Sequence, residues 1–323
     1  MTTMKAIQIQ NVGGVEVLQY TDVPRPTVSP NTVLIKNHAI GVNFIDIYQR
    51  SGVYKVSLPA ILGREGAGVV EQVGEGVENI AAGDRVAYLG PSSYAEYTVT
   101  SANHVYKLPE NVDFKLGAAS LLQGLTAWTL VTQAYPIKKG DWVLVHAAAG
   151  GTGLLLTQIA KYLGANVIGT VSTQEKAEKA LRAGADHVIN YTTSDVLSEV
   201  KALTSNEGVN VVYDGVGKDT FDTSLASLRR LGWMVSFGNA SGVTPPFSLL
   251  RLSEKNVTLA RPALFNYIVT REEFSKYCEE FFALLVAQKV DIRIHKTYKL
   301  NEVKQAHSDL EGRKTSGKLV LEP

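Results

Sequence analysis

Hydrophobic and polar positions fall into two textures along this chain. From Met1 to about Leu125, short apolar runs such as NTVLIKNHAIGVN, GAGVVEQVGEGV and GDRVAYLGPSSYAEYTV are broken by glycine or proline every several residues. That punctuation predicts a mostly antiparallel β domain. From about Thr126 the pattern alternates between β-branched runs and helical periodicities: DWVLVHAA, GGTGLLLTQIAKYLG, ANVIGTV, TQEKAEKALRAGA, DHVINY, VLSEVKALT, VNVVYDGVG and WMVSFGNASG. Such alternation predicts an α/β architecture with a parallel, doubly wound sheet. Beyond about Phe265 come two more helical patterns and a closing strand, SGKLVLEP. In TREEFSKYCEEFFALL, the residues Phe274, Tyr277, Cys278, Phe281, Phe282 and Leu285 recur at the three-and-four spacing of one apolar helix face.

Length and composition sharpen this picture. A chain of 323 residues is too long for one comfortable core, so two domains are expected. Lys plus Arg number 32 against 31 Asp plus Glu, so overall charge favours neither a polyanion nor an anionic membrane as partner. The start MTTMKAIQIQ lacks an apolar core of signal-peptide length, and no run of about 18 apolar residues offers a membrane span. A soluble cytoplasmic protein is expected. The single cysteine, Cys278, excludes an internal disulfide framework and any zinc site built from several thiolates.

The densest glycine cluster is LVHAAAGGTG, Leu144 to Gly153, which ends the first predicted strand of the parallel domain and opens its first helix. Backbone N–H groups at a helix N-terminus, with the positive end of the helix dipole, suit a pyrophosphate. The segment Ala148-Ala149-Gly150-Gly151-Thr152-Gly153 approximates the dinucleotide turn G-x-G-x-x-G, with alanine at its first glycine position. At the end of the second strand, where an acid would bind the ribose 2′-hydroxyl of NAD, the chain reads GTVSTQEKAEK, with Ser172 and Thr173 at the turn. Ser172-Thr173-Gln174-Glu175 fits a helix capping box that would occupy the Glu175 carboxylate. Lys176 is either a contact for a 2′-phosphate or a solvated helix residue.

The chain resembles the zinc-free quinone oxidoreductases of the zeta-crystallin type, within the medium-chain dehydrogenase/reductase superfamily. The resemblance runs through GVNFIDIYQRSGVY, PAILGREGAGVVEQVGEGV, GDRVAY, QGLTAW, HAAAGGTG, VSFGNASG and SGKLVL, in that order. It implies a GroES-like catalytic domain built from both ends of the chain, residues 1–125 and 265–323, around an inserted Rossmann-type dinucleotide domain, residues 126–264. It further implies a homodimer and NADPH, with the 2′-phosphate held by Lys176, Tyr191 and Arg313. Ala149, Gly150, Gly151, Thr152, Gly153 and Ser172 would line the rest of the cofactor turn. Phe237, Gly238 and Asn239 lie in VSFGNASG, at the carboxyl end of a later strand where such a fold opens its ligand crevice.

Zinc alcohol dehydrogenases of the same superfamily carry two cysteines and a Gly-His-Glu where this chain has Asn43, Gln123 and Gly63-Arg64-Glu65. Arg64 cannot ligate a metal, so a metal-free site is expected. Without a Lewis acid, hydride transfer to an electron-poor quinone or activated enone is the chemistry that remains. Its conjugated oxygen needs hydrogen-bond donors. Asn43, Tyr48, Tyr54 and Gln123 are the candidates, because the segments that hold them line the catalytic cleft of proteins this one resembles. Tyr48 is otherwise packing in an apolar segment, and Asp46, Arg64 and Glu65 otherwise form a structural ion network. Tyr94 closes the cleft or fills a turn, and His146 is read as a satisfied interior residue. The apolar runs WMVSFGNA and VTLARPALF suggest a sheet that continues across a two-fold axis. A second class of function is AU-rich RNA binding or a crystallin-type role, known in some members of that branch; the balanced charge argues against a dominant electrostatic RNA surface.

Overall fold

Short strands take up the glycine- and proline-punctuated part of the sequence. In the computed structural model, which describes residues 2–323, these are β1 (Thr3–Ile9), β2 (Gln19–Pro24), β3 (Thr32–Val42), the short helix α1 (Phe44–Arg50), β4 (Ala60–Ile61), β5 (Glu65–Val73), β6 (Arg85–Leu89), β7 (Tyr97–Ser101) and β8 (Val105–Lys107). Helix α2 (Phe114–Thr129) leads into the alternating region: β9 (Trp142–Val145), α3 (Gly151–Tyr162), β10 (Asn166–Val171), α4 (Gln174–Arg182), β11 (His187–Asn190), α5 (Val196–Leu203), β12 (Val209–Asp214), α6 (Phe221–Ser227), β13 (Leu228–Ser236), α7 (Leu250–Ser253) and β14 (Thr258–Ala260). The chain closes with α8 (Arg271–Val286), β15 (Ile294–Lys299), α9 (Val303–Glu311) and β16 (Lys318–Glu322).

Two compact units result. The first comprises Met1–Gln123, Ile268–Val286 and Ile292–Pro323, and the second Gly124–Tyr267 with Ala287–Asp291. Residues 287–291 therefore group with the second unit, inside a stretch that the sequence assigns to the first. The cause is a pair of hydrogen bonds to helix α3: Gln158 Nε2 donates to the Asp291 carbonyl at 3.0 Å, and Asp291 N–H donates to Gln158 Oε1 at 2.7 Å.

The first unit holds a three-stranded sheet, β2-β1-β4, and a seven-stranded sheet of order β15-β16-β3-β5-β6-β8 with β7 also paired to β3. Its pairings are antiparallel except β15 with β16. A core of Ile7, Ile9, Ile40, Val42, Leu319 and Leu321 joins residues from both ends of the chain. The expected apolar face of α8 is present, with Phe274, Tyr277, Cys278, Phe281, Phe282 and Leu285 all buried. Burial also pushes the Cys278 thiol well above its ordinary pKa, so it is a core residue and not a nucleophile.

The second unit is a six-stranded, wholly parallel sheet of order β11-β10-β9-β12-β13-β14, packed on a core that includes Leu144, Ile168, Val212 and Met234. Strand order reverses direction between β9 and β12, and in such sheets the ligand crevice lies beyond the carboxyl ends of the strands at that point. No helix among the described residues is long and apolar enough to cross a membrane.

Register in the first unit brings a buried ion pair together. Strand β16 aligns Leu319 with Val42 and Val320 with Gly41, and β5 aligns Glu65 with Gly41. Lys318, fully buried, thus lies beside Asn43 and forms an ion pair with the equally buried Glu65. Gly41 leaves room for it: a Cβ there would sit 2.3 Å from Glu65 Oε1 and 2.4 Å from the Ala118 carbonyl oxygen of α2. Replacing Lys318 by Met strands the Glu65 carboxylate in the core, and we expect a loss of about 3–5 kcal/mol in chemical denaturation. Lys5→Ala removes an exposed 2.8 Å pair with Asp22 that water screens, and should cost far less. Similar losses for the two variants would contradict the distinction.

Candidate active site

Beyond β9 the chain turns through His146–Ala149 and enters α3 at Gly150, an extended N-cap residue with no side-chain cap. The first turn of α3 contains no acid, so no side-chain carboxylate competes for its N-terminal N–H groups. A Cβ on Gly153 would lie 2.2 Å from the Ala147 carbonyl oxygen, so only glycine lets the helix seat against the turn. The departure at the first glycine position also has a local explanation. Ala148 is fully buried, and its methyl group fits because the adjacent strand β10 carries Gly169, where a Cβ would lie 2.7 Å away. Backbone donors, the positive helix end and close packing together fit a dinucleotide pyrophosphate.

The turn after β10 differs from the sequence expectation in one respect. Thr173, not Ser172, is the N-cap residue of α4: its hydroxyl accepts from the Lys176 N–H at 3.3 Å. Glu175 forms an ion pair with Lys179 one turn on instead of closing a capping box. The Lys176 ammonium donates to the Ser172 hydroxyl at 3.3 Å. Tyr191 follows directly on β11, its N–H bonded to the Val171 carbonyl at 3.0 Å, so register places it beside the same strand end. An ammonium and hydroxyls gathered at a strand end whose nearest acid is already paired suit a phosphate better than a ribose diol. Arg313 is exposed, belongs to the first unit and lies two residues beyond α9.

Phe237, Gly238 and Asn239 follow β13, and the Phe237 N–H donates to the Asp214 carbonyl at 2.8 Å. Asp214 itself escaped the sequence reading, although an acid that ends an apolar strand was a visible signal. Its fully buried carboxylate accepts from the N–H groups of Val216 and Gly217 and from the hydroxyls of Thr220 and Ser224, the last at 2.6 Å. Because Ser224 spends its proton on Asp214, His146 Nε2 must donate to the Ser224 oxygen at 3.0 Å, and Nδ1 accepts from Thr170 at 3.0 Å. Burial lowers the His146 pKa and keeps the ring neutral. His146 is thus the satisfied interior residue expected, and the chain of bonds ties together the carboxyl ends of β9, β10 and β12.

In the first unit, Asn43 is the N-cap of α1, in a capping box with Asp46. Its amide group donates to Glu65 Oε1 at 2.9 Å and to the Gly41 carbonyl at 3.4 Å, and its oxygen accepts from Lys318 at 2.7 Å. Both amide hydrogens are therefore committed within the protein, and Asn43 positions α1 instead of offering a donor to substrate. Tyr48 is buried on α1, edge-on to the half-buried Tyr54 ring at 5.1 Å and tilted to Phe44 at 6.0 Å. Gln123 carries a buried Oε1 with no hydrogen-bond partner. Tyr94, read from the sequence as closing the cleft or filling a turn, is fully buried at a bend, where it donates to Asp46 Oδ2 at 2.8 Å and meets His307 Nε2 at 3.0 Å. Asp46 and Glu65 belong to a structural polar network, as one of the two sequence readings held, and Lys318 and His307 are members that the sequence did not indicate.

Comparison with known proteins places this fold in context. Residues 151–283 match a family model described as zinc-binding dehydrogenase, and residues 29–110 one described as alcohol dehydrogenase GroES-like domain. Quinone oxidoreductase 1 of Escherichia coli is 44% identical over 323 residues, covering 98% of this chain and 99% of that protein. A 2-haloacrylate reductase from Burkholderia sp is 38% identical over 328 residues, covering 98% of each chain. The crystal structure of E. coli quinone oxidoreductase complexed with NADPH superimposes with a TM-score of 0.96 at 43% identity, covering 99% of this chain and 100% of that one. With identity of this order over essentially its whole length, the chain belongs to the quinone oxidoreductase family of the medium-chain dehydrogenase/reductase superfamily.

Proposed function

We propose that this enzyme reduces quinones with NADPH, converting quinone, NADPH and one proton into hydroquinone and NADP⁺. The observation that carries the cofactor assignment is the uncapped, acid-free start of α3 at the point where strand order reverses. The relatives' activities supply the substrate class. Bound NADPH contributes a hydride. The chain's own residues bind and orient: backbone N–H groups at Gly151–Gly153 take the pyrophosphate, with Ala149 and Gly150 shaping the turn, and Lys176, Ser172 and Tyr191 take the 2′-phosphate. Phe237, Gly238 and Asn239 line the far end of the crevice.

Tyr48, Tyr54 and the Gln123 amide are the donors that steady negative charge on the conjugated oxygen of the acceptor. Leaving a buried acceptor such as Gln123 Oε1 unpaired costs about 1–3 kcal/mol, a cost that an O–H or N–H group on a bound ligand removes. Asn43 acts through the placement of α1. A related reading, reduction of activated alkenes, draws support from the 2-haloacrylate reductase among the relatives.

Steady-state NADPH oxidation with benzoquinones, naphthoquinones and activated alkenes as acceptors tests the assignment, with chelator present throughout. We expect quinone-dependent turnover that chelator leaves unchanged. Turnover with alkenes alone would transfer the assignment to the second reading, and no turnover with any acceptor would reject both.

The 2′-phosphate pocket has its own test. Loss of one charge-assisted bond worth roughly 1.5–3 kcal/mol weakens binding about tenfold or more. Lys176→Ala should therefore raise KM for NADPH by that factor, with little change for NADH and with kcat near wild type. An equal small effect on both nucleotides would mark Lys176 as a solvated helix residue.

The same proposal includes a homodimer, which the family resemblance implies. Strand β14, three residues long, is an edge of the parallel sheet, and the segment before it exposes Val243, Leu249 and Leu250, the last by 79%. An unpaired edge beside exposed leucines suits main-chain pairing with a second copy across a two-fold axis. Light scattering at micromolar concentration should report twice the chain mass of 35.0 kDa, and a monomer would refute the pairing.

A further inference from the structure

Charged groups around the first turn of α1 neutralise one another in pairs, with one exception. Glu65 on β5 pairs with Lys318 on β16. Arg50, at the other end of α1, makes a two-pronged contact with Glu311 on α9, at 2.9 and 2.7 Å. Asp46, fully buried, has no ion-pair partner among the described residues. Its Oδ2 accepts from the Asn43 N–H at 2.9 Å and the Tyr94 hydroxyl at 2.8 Å, while Oδ1 has no partner.

Donor direction along the neighbouring chain of bonds is fixed by chemistry. Arg50 can only donate, so His307 Nδ1, 3.2 Å away, accepts. The His307 hydrogen then sits on Nε2 and points at the Tyr94 oxygen, 3.0 Å away, and Tyr94 donates to Asp46. Arg50, His307 and Tyr94 all direct their hydrogens toward a carboxylate that lacks a counter-ion. Such an arrangement stabilises an anion without neutralising it.

We propose that Asp46 is a titratable positioning residue: its ionised carboxylate holds the start of α1, and with it Tyr48 and Tyr54, in the geometry that receives substrate, and its protonation releases that hold. The linkage is direct. Asp46 lies two residues before Tyr48 on a helix of seven residues, its carboxylate anchors the N-cap, and the Tyr54 N–H is bonded to the Tyr48 carbonyl at 2.9 Å. Burial raises the Asp46 pKa to about 7, against the lowering effects of Tyr94, the Asn43 N–H and Lys318. His307 and Tyr94, which face it, stay neutral in that range. Burial and Arg50 hold His307 at about 3, and burial together with Asp46 holds the Tyr94 phenol well above its usual value.

The proposal rests on the reading of Tyr48 and Tyr54 as substrate contacts, so its test has one arm with substrate and one without. In the first, kcat/KM for quinone should rise as pH increases through about 7 in the wild type. Asp46→Asn, which keeps an acceptor for Asn43 and Tyr94 but cannot ionise, should abolish that limb and stay at the low-pH value throughout. NADPH affinity, read by fluorescence titration, should remain the same in both proteins. Tyr94→Phe, which removes one donor to the carboxylate, should move the limb upward by about one pH unit or more.

In the second arm, hydrogen exchange of residues 43–54, corrected for its intrinsic pH dependence, should quicken below pH 7 in the wild type and lose that dependence in Asp46→Asn. An activity limb that persists in Asp46→Asn, or a limb unmoved by Tyr94→Phe, would overturn the proposal. Exchange that responds to pH as expected in a protein without quinone turnover would reject the functional reading while retaining Asp46 as the titrating group.

Discussion

The ion pair between Glu65 and Lys318 is the constraint on which the first unit depends. Two charges taken fully out of water are tolerated only with matched geometry and further hydrogen bonds, and here Asn43 and the Leu122 N–H supply them. The pair requires β3 to run between β5 and β16 in one register, and it requires a glycine at position 41. Asn43, held by both members of the pair, then fixes where α1 begins. The placement of Tyr48 and Tyr54 is thus a downstream result of that salt bridge, passed on through Asn43 and the start of α1.

The second unit solves a similar problem without ion pairs. A buried carboxylate, Asp214, is met by backbone N–H groups and hydroxyls, and the surplus is passed through Ser224 and His146 to Thr170. Three neighbouring strand ends are locked by groups that stay neutral apart from Asp214, beneath a turn whose own donors carry no side-chain cap. Rigid support below and free donors above are what a phosphate-binding turn needs.

Much of this architecture was legible in local sequence pattern. Alternating strand and helix periods marked the parallel sheet, and the three-and-four spacing in α8 marked its buried face. The glycine turn was recognisable because its requirements fall within ten residues. What escaped has a common physical cause. Helix α1 is seven residues long and shows no full period, α2 begins inside a stretch that reads as β, and β15 is a polar edge strand. The site's supporting groups were hidden for another reason: Lys318 and Glu65 are 253 positions apart and Arg50 and Glu311 261 apart, separations at which no motif records a contact. Capping failed by a single residue, since Ser172 and Thr173 are chemically equivalent as caps and only backbone geometry chooses between them.

Pairing the beginning of the chain with its end also imposes an order on assembly. Glu65 is made early, yet the ammonium that neutralises it arrives only 253 positions later, at Lys318. Until then the first unit holds an uncompensated carboxylate at the centre of its intended core, and β3 lacks the partner strand β16. The second unit contains no such dependence, because its sheet is complete by residue 260. During synthesis the parallel sheet can therefore close first, while the N-terminal strands wait for β16 before they reach their final packing.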